Sequence, residues 1–281
     1  MSLPALDVPA LLRQYGLRPD KSLGQNFLVD PAALQRVVSA AEVSPQDKIL
    51  EIGPGLGSLT RLLAVQSQQV VAVELDEKLL APLAEVLAAY DNVRIVQGDI
   101  LDLQPSDLMD EPGYLVVANI PYYITSAVIR HLLEAEEKPA RIVLTVQREV
   151  AERIVAEPGD LSLLALGVQV YGEPEIVARI PAGAFYPPPK VDSAVVRVSL
   201  YPEPRIPDTN LDLFFRLAKA GFSQKRKTLR NALSGGMHWE PKQAAAILEL
   251  AGIDPRRRAE TIRLDEWRLL TEVVLKKGIL S

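Results

Sequence analysis

The segment Glu51-Ile52-Gly53-Pro54-Gly55-Leu56-Gly57-Ser58-Leu59-Thr60 constrains this chain more than any other. An apolar run ends in three glycines at every second position, and an amphipathic stretch follows. Glycine reaches backbone angles closed to other residues and lets a ligand approach main-chain N–H groups, so the pattern predicts strand, tight turn and helix. The surroundings repeat that rhythm. Short, largely β-branched runs over 48–52, 69–75, 93–97, 114–118 and 140–147 predict strands, with helices expected over 32–41, 58–66, 76–89 and 126–135. Asp30-Pro31 gives the first helix an N-cap and a first-turn proline. Strands that alternate with helices imply βα units on a mostly parallel sheet.

The pattern then changes. Strands over 175–180 and 191–200 flank the turn Phe185-Tyr186-Pro187-Pro188-Pro189. Pro202, Pro204 and Pro207 cannot continue a strand or helix, so 201–207 is expected to be a linker. Helices are expected beyond it over 211–221, 227–233, 241–251 and 265–276. The expected architecture is α/β over 1–201, followed by a small all-helical domain over 207–281.

Composition removes several chemistries. Among 281 residues there is no cysteine, hence no disulfide, thiolate nucleophile or thiolate metal site. His131 and His238 are the two histidines, too few for a histidine-rich metal centre. No apolar run of about 18 residues exists to span a membrane, and Asp7, Arg13 and Gln14 break any signal-peptide core. A cytoplasmic protein is expected. Charge is uneven: residues 190–281 hold 17 Lys+Arg against 11 Asp+Glu, net +6, leaving 14 against 25, net −11, before them. Lys225, Arg226, Lys227 and Arg230 form one basic cluster, and Arg256, Arg257, Arg258 and Arg263 another. Both are candidate phosphate contacts.

The carboxylates locate a nucleoside. Glu74 ends the second strand, 21 positions after Gly53, where a carboxylate can take both ribose hydroxyls. Asp99 and Ile100 follow the third strand at the same sheet edge. Two cofactors fit such a turn. A dinucleotide fingerprint needs Gly-x-Gly-x-x-Gly facing a pyrophosphate, but here the third glycine comes one place early and Ser58 holds its position. S-adenosylmethionine, which has no pyrophosphate, suits Gly53, Gly55 and Gly57 better.

Asn119-Ile120-Pro121-Tyr122 follows the fourth strand, at the edge where open α/β sheets bind ligands. An amide, a restricted backbone and an aromatic ring together suit an exocyclic adenine amine. That nitrogen is a poor nucleophile because its lone pair is delocalised into the ring. If the Asn119 side-chain oxygen and the Ile120 carbonyl accept its N–H groups, the lone pair is turned towards a methyl donor. Tyr122 can stack on the base. Catalysis is then mostly positioning.

Five ordered motifs carry a resemblance over nearly the whole chain. Leu23-Gly24-Gln25-Asn26-Phe27-Leu28, Glu51–Gly57, Asn119–Tyr122, the run from Phe185 to Ser193 and the stretch from Phe222 to Asn231 resemble the ribosomal RNA adenine dimethyltransferases. The likeness is greatest to the KsgA type, which modifies the small subunit. The resemblance implies a Rossmann-like methyltransferase domain that takes S-adenosylmethionine. It implies dimethylation at N6 of two adjacent adenines in a hairpin loop near the 3′ end of small-subunit ribosomal RNA, within the 30S particle or its precursor. Carried over by position, Gln25, Asn26, Leu28, Gly53, Glu74 and Asp99 contact cofactor, and Asn119 stands between cofactor and base. Phe185 faces the flipped adenine opposite Tyr122, and the Phe222–Asn231 stretch, with Lys190, meets RNA. A monomer is expected. Tyr123 and Tyr186 stand where family members often have Asn and Ser or Thr. A large-subunit methyltransferase and a non-catalytic assembly factor are the alternatives.

Overall fold

The computed structural model describes residues 3–121, 124–224 and 226–278. Its strands are β1 (Phe27–Leu28), β2 (Lys48–Ile52), β3 (Gln69–Glu74), β4 (Val93–Gln97), β5 (Leu115–Asn119), β6 (Arg141–Gln147), β7 (Gly172–Ile180), β8 (Phe185–Tyr186) and β9 (Ser193–Leu200). The helices are α1 (Val8–Gln14), α2 (Pro31–Ala41), α3 (Thr60–Ala64), α4 (Glu77–Leu87), α5 (Pro105–Leu108), α6 (Thr125–Leu133), α7 (Arg148–Ile154), α8 (Leu163–Gln169), α9 (Asp208–Phe222), α10 (Leu229–Gly236), α11 (Pro241–Leu250) and α12 (Leu264–Lys277).

Seven strands form one sheet in the order β4-β3-β2-β5-β6-β9-β7. The five from β4 to β6 run parallel, and β9 pairs antiparallel with β6. Parallel strands covered on both faces read as continuous apolar runs. Ile49, Leu50, Val70, Val71, Ala72, Val116, Val117 and Ala118 are accordingly buried. The strand order reverses between β2 and β5, which opens a crevice beyond their carboxyl ends, the usual ligand position in such sheets.

The expected strands are present to within three residues at either end, and β5 runs one residue further than expected, so Asn119 is held in the sheet. The two-residue pair β1–β8 carries no periodicity and was not expected. It sets Phe27 opposite Tyr186 and Leu28 opposite Phe185.

The chain divides into two compact units. One runs up to Ala151 and includes Pro174–Leu200; the other joins Glu152–Glu173 to the chain from Tyr201 onward. The expected boundary at 201 places 152–173 in the first domain; the structure instead joins it to the helical unit. Buried Ala165, Leu166 and Val168 of α8 belong to a helix that packs on α9, and Gly159 and Leu161 donate backbone hydrogen bonds to the Glu260 carbonyl. An apolar pattern says that a helix is buried but not against what. Among the described residues no helix is long and apolar enough to cross a membrane.

Candidate active site

One cleft gathers most of the residues the sequence singles out. Gln25, Asn26, Leu28, Gly53, Gly55, Glu74, Asp99, Ile100, Asn119, Ile120 and Pro121 all line it. Phe27, Glu51, Leu56, Leu75 and Leu79 complete much of the wall. Every contributor lies in the α/β unit, most at the carboxyl ends of β2, β3, β4 and β5 and the rest from the 23–28 segment and from α2 and α4. Tyr122 and Lys225 lie outside the described residues.

The three glycines of the turn after β2 share a left-handed backbone but differ in what they face. Gly53, Gly55 and Gly57 have φ of 68°, 59° and 83°, the left-handed region that favours glycine. A methyl group on Gly55 would sit 2.9 Å from the Phe27 ring, so the bare backbone is what lets β1 close over the turn. Gly57 is not among the cleft residues. A methyl there would come within 3.2–3.4 Å of Leu83, Val86 and Leu87. Its expected cofactor contact is therefore corrected to close packing of the turn on α4.

Glu74 is 5% exposed and fixed before any ligand arrives. One carboxylate oxygen accepts from the Gly55 N–H and the other from the Asp76 N–H, each at 2.9 Å. Each oxygen keeps a second lone pair for a hydroxyl donor. Burial raises the Glu74 pKa above the ordinary carboxylate value, against the pull of these hydrogen bonds. Asp99 accepts from the Leu101 N–H through Oδ1, at 2.9 Å.

The segment before β1 is tied to this site. Gln25 Nε2 donates to Asp76 Oδ2 at 2.8 Å, while its Oε1 accepts from the Asp20 N–H at 2.7 Å. Gln25 lines the cleft, but its amide already serves to anchor the segment. Asn26 Nδ2 donates to the Gly24 carbonyl at 3.0 Å. The Asn26 carbonyl in turn accepts from Asn119 Nδ2 at 3.0 Å. That bond fixes the rotation of the Asn119 amide and commits Oδ1 to accepting from a donor in the cleft.

Phe185 departs from expectation. It is 3% exposed, packs in the core cluster with Leu28, Leu34, Ile180 and Ala184, and does not line the cleft. The ring-on-base contact carried over from the resemblance is corrected: its β8 backbone pairs with Leu28 and its ring turns inward with that residue.

Glu51 was missed as a site residue. It is 1% exposed between apolar Leu50 and Ile52, lines the cleft, and leaves Oε2 without a hydrogen-bond partner. Burial, with the Glu74 charge nearby, pushes its pKa up to about 8. The available signal was a lone carboxylate two residues before Gly53 in a strand buried on both faces.

The donor set fits an adenosyl sulfonium amino acid. Glu74 and Asp99 offer acceptors for hydroxyl and amine groups, and Leu75, Leu79 and Ile100 offer apolar surface for a purine. The orphaned Glu51 oxygen suits an ammonium group, and the three carboxylates together favour a cation.

On the helical unit, Arg226, Lys227 and Arg230 are exposed, as is Lys190 on the α/β unit. The second basic cluster is largely spent internally. Arg257 forks onto Glu266 at 2.5 and 3.1 Å, and Arg256 pairs with Asp254 at 3.0 Å.

Comparison with known proteins agrees with this chemistry. The chain is 46% identical over 276 residues to the ribosomal RNA small subunit methyltransferase A of Dehalococcoides mccartyi, covering 95% of each. It is 44% identical to the protein of that name from Moorella thermoacetica, covering 94% of this chain and 96% of that one. Among solved structures, a dimethyladenosine transferase from Plasmodium falciparum matches with TM-score 0.78 and 25% identity, over 90% of this chain and 98% of that one. The 23S rRNA methyltransferase ErmE matches with TM-score 0.72 and 31% identity, over 88% and 99%. Residues 17–275 match the family described as ribosomal RNA adenine dimethylase, and the chain belongs to that family.

Proposed function

We propose that this chain transfers methyl groups from S-adenosylmethionine to N6 of two adjacent adenines in a 3′-terminal hairpin loop of small-subunit ribosomal RNA. The product is N6,N6-dimethyladenine, made as a monomer in the cytoplasm on the 30S particle or its precursor. The observation that carries the reading is the Asn119 amide, whose Nδ2 is consumed by the Asn26 carbonyl. An amide so fixed presents an acceptor, which is what a purine amine requires.

Bound S-adenosylmethionine supplies an electrophilic methyl group on sulfur. Glu51 would hold its ammonium group, Gly53 would allow close backbone approach, Glu74 would take the ribose hydroxyls and Asp99 the adenine amine. Asn119 Oδ1 and the Ile120 carbonyl accept the two N–H groups of the target amine and turn its lone pair to the methyl donor. Proton loss follows methylation easily, since the alkylated nitrogen is cationic, so no strong base is required. Pro121 restricts the backbone that presents the Ile120 carbonyl. Tyr122, from its place in the motif, stacks on the base. A base inside a duplex cannot reach such a cleft, so the target is extruded.

The small-subunit assignment draws support from relatives at 44–46% identity that bear that name over nearly their full length. The likeness to ErmE favours a second reading, methylation of large-subunit RNA, at 31% identity. Incubating purified protein and labelled cofactor with unmodified 30S and 50S particles, then mapping methyladenine in both RNAs, separates the two. Dimethylation of two adjacent 16S adenines is expected. Label confined to 23S RNA, or none at all, overturns the proposal.

A further inference from the structure

The β1–β8 ribbon has two faces, and they are used differently. Residues directly opposite each other in an antiparallel pair share a face, and successive residues alternate. Leu28 and Phe185 form one pair, both buried in the core cluster. Phe27 and Tyr186 form the other. The Phe27 ring lies against Gly55 and lines the cleft. Tyr186 therefore stands on the cleft-side face, yet it is 37% exposed and is not among the residues that line the cleft. An aromatic ring is thus displayed at the rim. Val191, 48% exposed, and the exposed Lys190 lie on the same loop.

We propose that Tyr186 is a stacking platform for the nucleobase next to the one that enters the cleft. This rests on the reading that the chain acts on RNA adenines. Extruding one base from a loop unstacks its neighbour, and an exposed ring beside the entry point recovers that lost stacking. Every base has a π-face, so the platform tolerates sequence and contributes to affinity more than to selectivity. Lys190 is placed to meet the phosphate that follows. The base in the cleft is left to Asn119 and Tyr122.

The test compares Tyr186→Phe, Tyr186→Leu and Tyr186→Ser on unmodified 30S particles, with calorimetry of S-adenosylmethionine on each. Loss of one base–aromatic stack corresponds to about 5- to 150-fold in RNA affinity. Tyr186→Ser is expected to raise KM for the particle by that factor, with a much smaller fall in kcat and a cofactor Kd within about twofold. Tyr186→Phe is expected to restore KM, and Tyr186→Leu to restore it only in part, because it keeps apolar area but has no ring. An unchanged KM in Tyr186→Ser overturns the proposal, and so does a parallel loss of cofactor affinity, which marks a structural role. If wild-type protein methylates no RNA, the functional reading falls and the platform falls with it. That result is distinct from an active wild type whose Tyr186→Ser variant behaves identically.

Discussion

The cleft of the α/β unit and the basic surface of the helical unit hold their polar groups in opposite ways. In the cleft, Glu74 is pinned by two backbone N–H groups, Gln25 bridges Asp20 and Asp76, and Asn119 is locked to Asn26. On the helical unit, Arg226, Lys227 and Arg230 extend into solvent. The difference suits the two kinds of ligand. A small cofactor and one reacting base need groups fixed in advance, since positioning is most of the catalysis. A flexible polyanion is held by charge, and long side chains that adapt serve it best. The sign of charge divides as well. The cleft carboxylates, joined by Glu51 once it ionises, favour a sulfonium cation and repel phosphate, while net positive charge collects in the last third of the chain.

Breaking a pinned group in the cleft is expected to have the largest effect. Glu74→Gln turns an amide NH₂ against one of the two backbone N–H groups its oxygens accept from, and one charge-assisted bond is worth about 1.5–3 kcal/mol. Cofactor affinity measured by calorimetry should fall by about 10- to 150-fold, and the backbone donor left unpaired should lower the urea midpoint of the apo protein as well.

Glu51 gives a pH signature. Its folded pKa of about 8 lies above the ordinary carboxylate value, so the folded chain binds the extra proton between those limits. Its contribution to stability is present in full below the ordinary value and is lost as pH rises through 8. Thermal melts of the apo protein should therefore show stability falling from about pH 5 to pH 8, with a shallower slope in Glu51→Gln. Cofactor binding runs the other way, because an ammonium group needs the ionised carboxylate. Affinity should rise by up to about tenfold per pH unit below 8, with proton release on binding, and Glu51→Gln should flatten both.

Within the basic residues the comparison becomes finer. Arg257 is half-buried and paired with Glu266, so Arg257→Ala should lower stability by about 1–3 kcal/mol in urea titrations. Lys227→Ala and Arg230→Ala should leave stability nearly untouched. Each should instead reduce the slope of log affinity against log salt for RNA by about 0.7–0.9.

The parallel strands were legible because burial on both faces writes itself as β-branched apolar runs. The glycine turn was legible because glycine takes without strain the left-handed φ seen at Gly53, Gly55 and Gly57. What was illegible depended on partners that no local pattern names. A two-residue strand has no period, so the inward turn of Phe185 and the outward turn of Tyr186 needed the register with β1. Gly57 looked like its two neighbours until α4 was seen against it. Arg257 looked like a phosphate contact until Glu266, nine residues away, was found to hold it. Residues 152–173 carry an apolar helix whose partner, α9, lies across the expected linker.

On the proposed mechanism, the fixed Asn119 amide activates the target amine without being needed to hold the cofactor. Measuring methyl transfer to unmodified 30S particles and the heat of S-adenosylmethionine binding on one Asn119→Ala preparation tests it directly. At least about a 100-fold fall in rate is expected, with cofactor binding largely kept. A variant that methylates at the wild-type rate would contradict it.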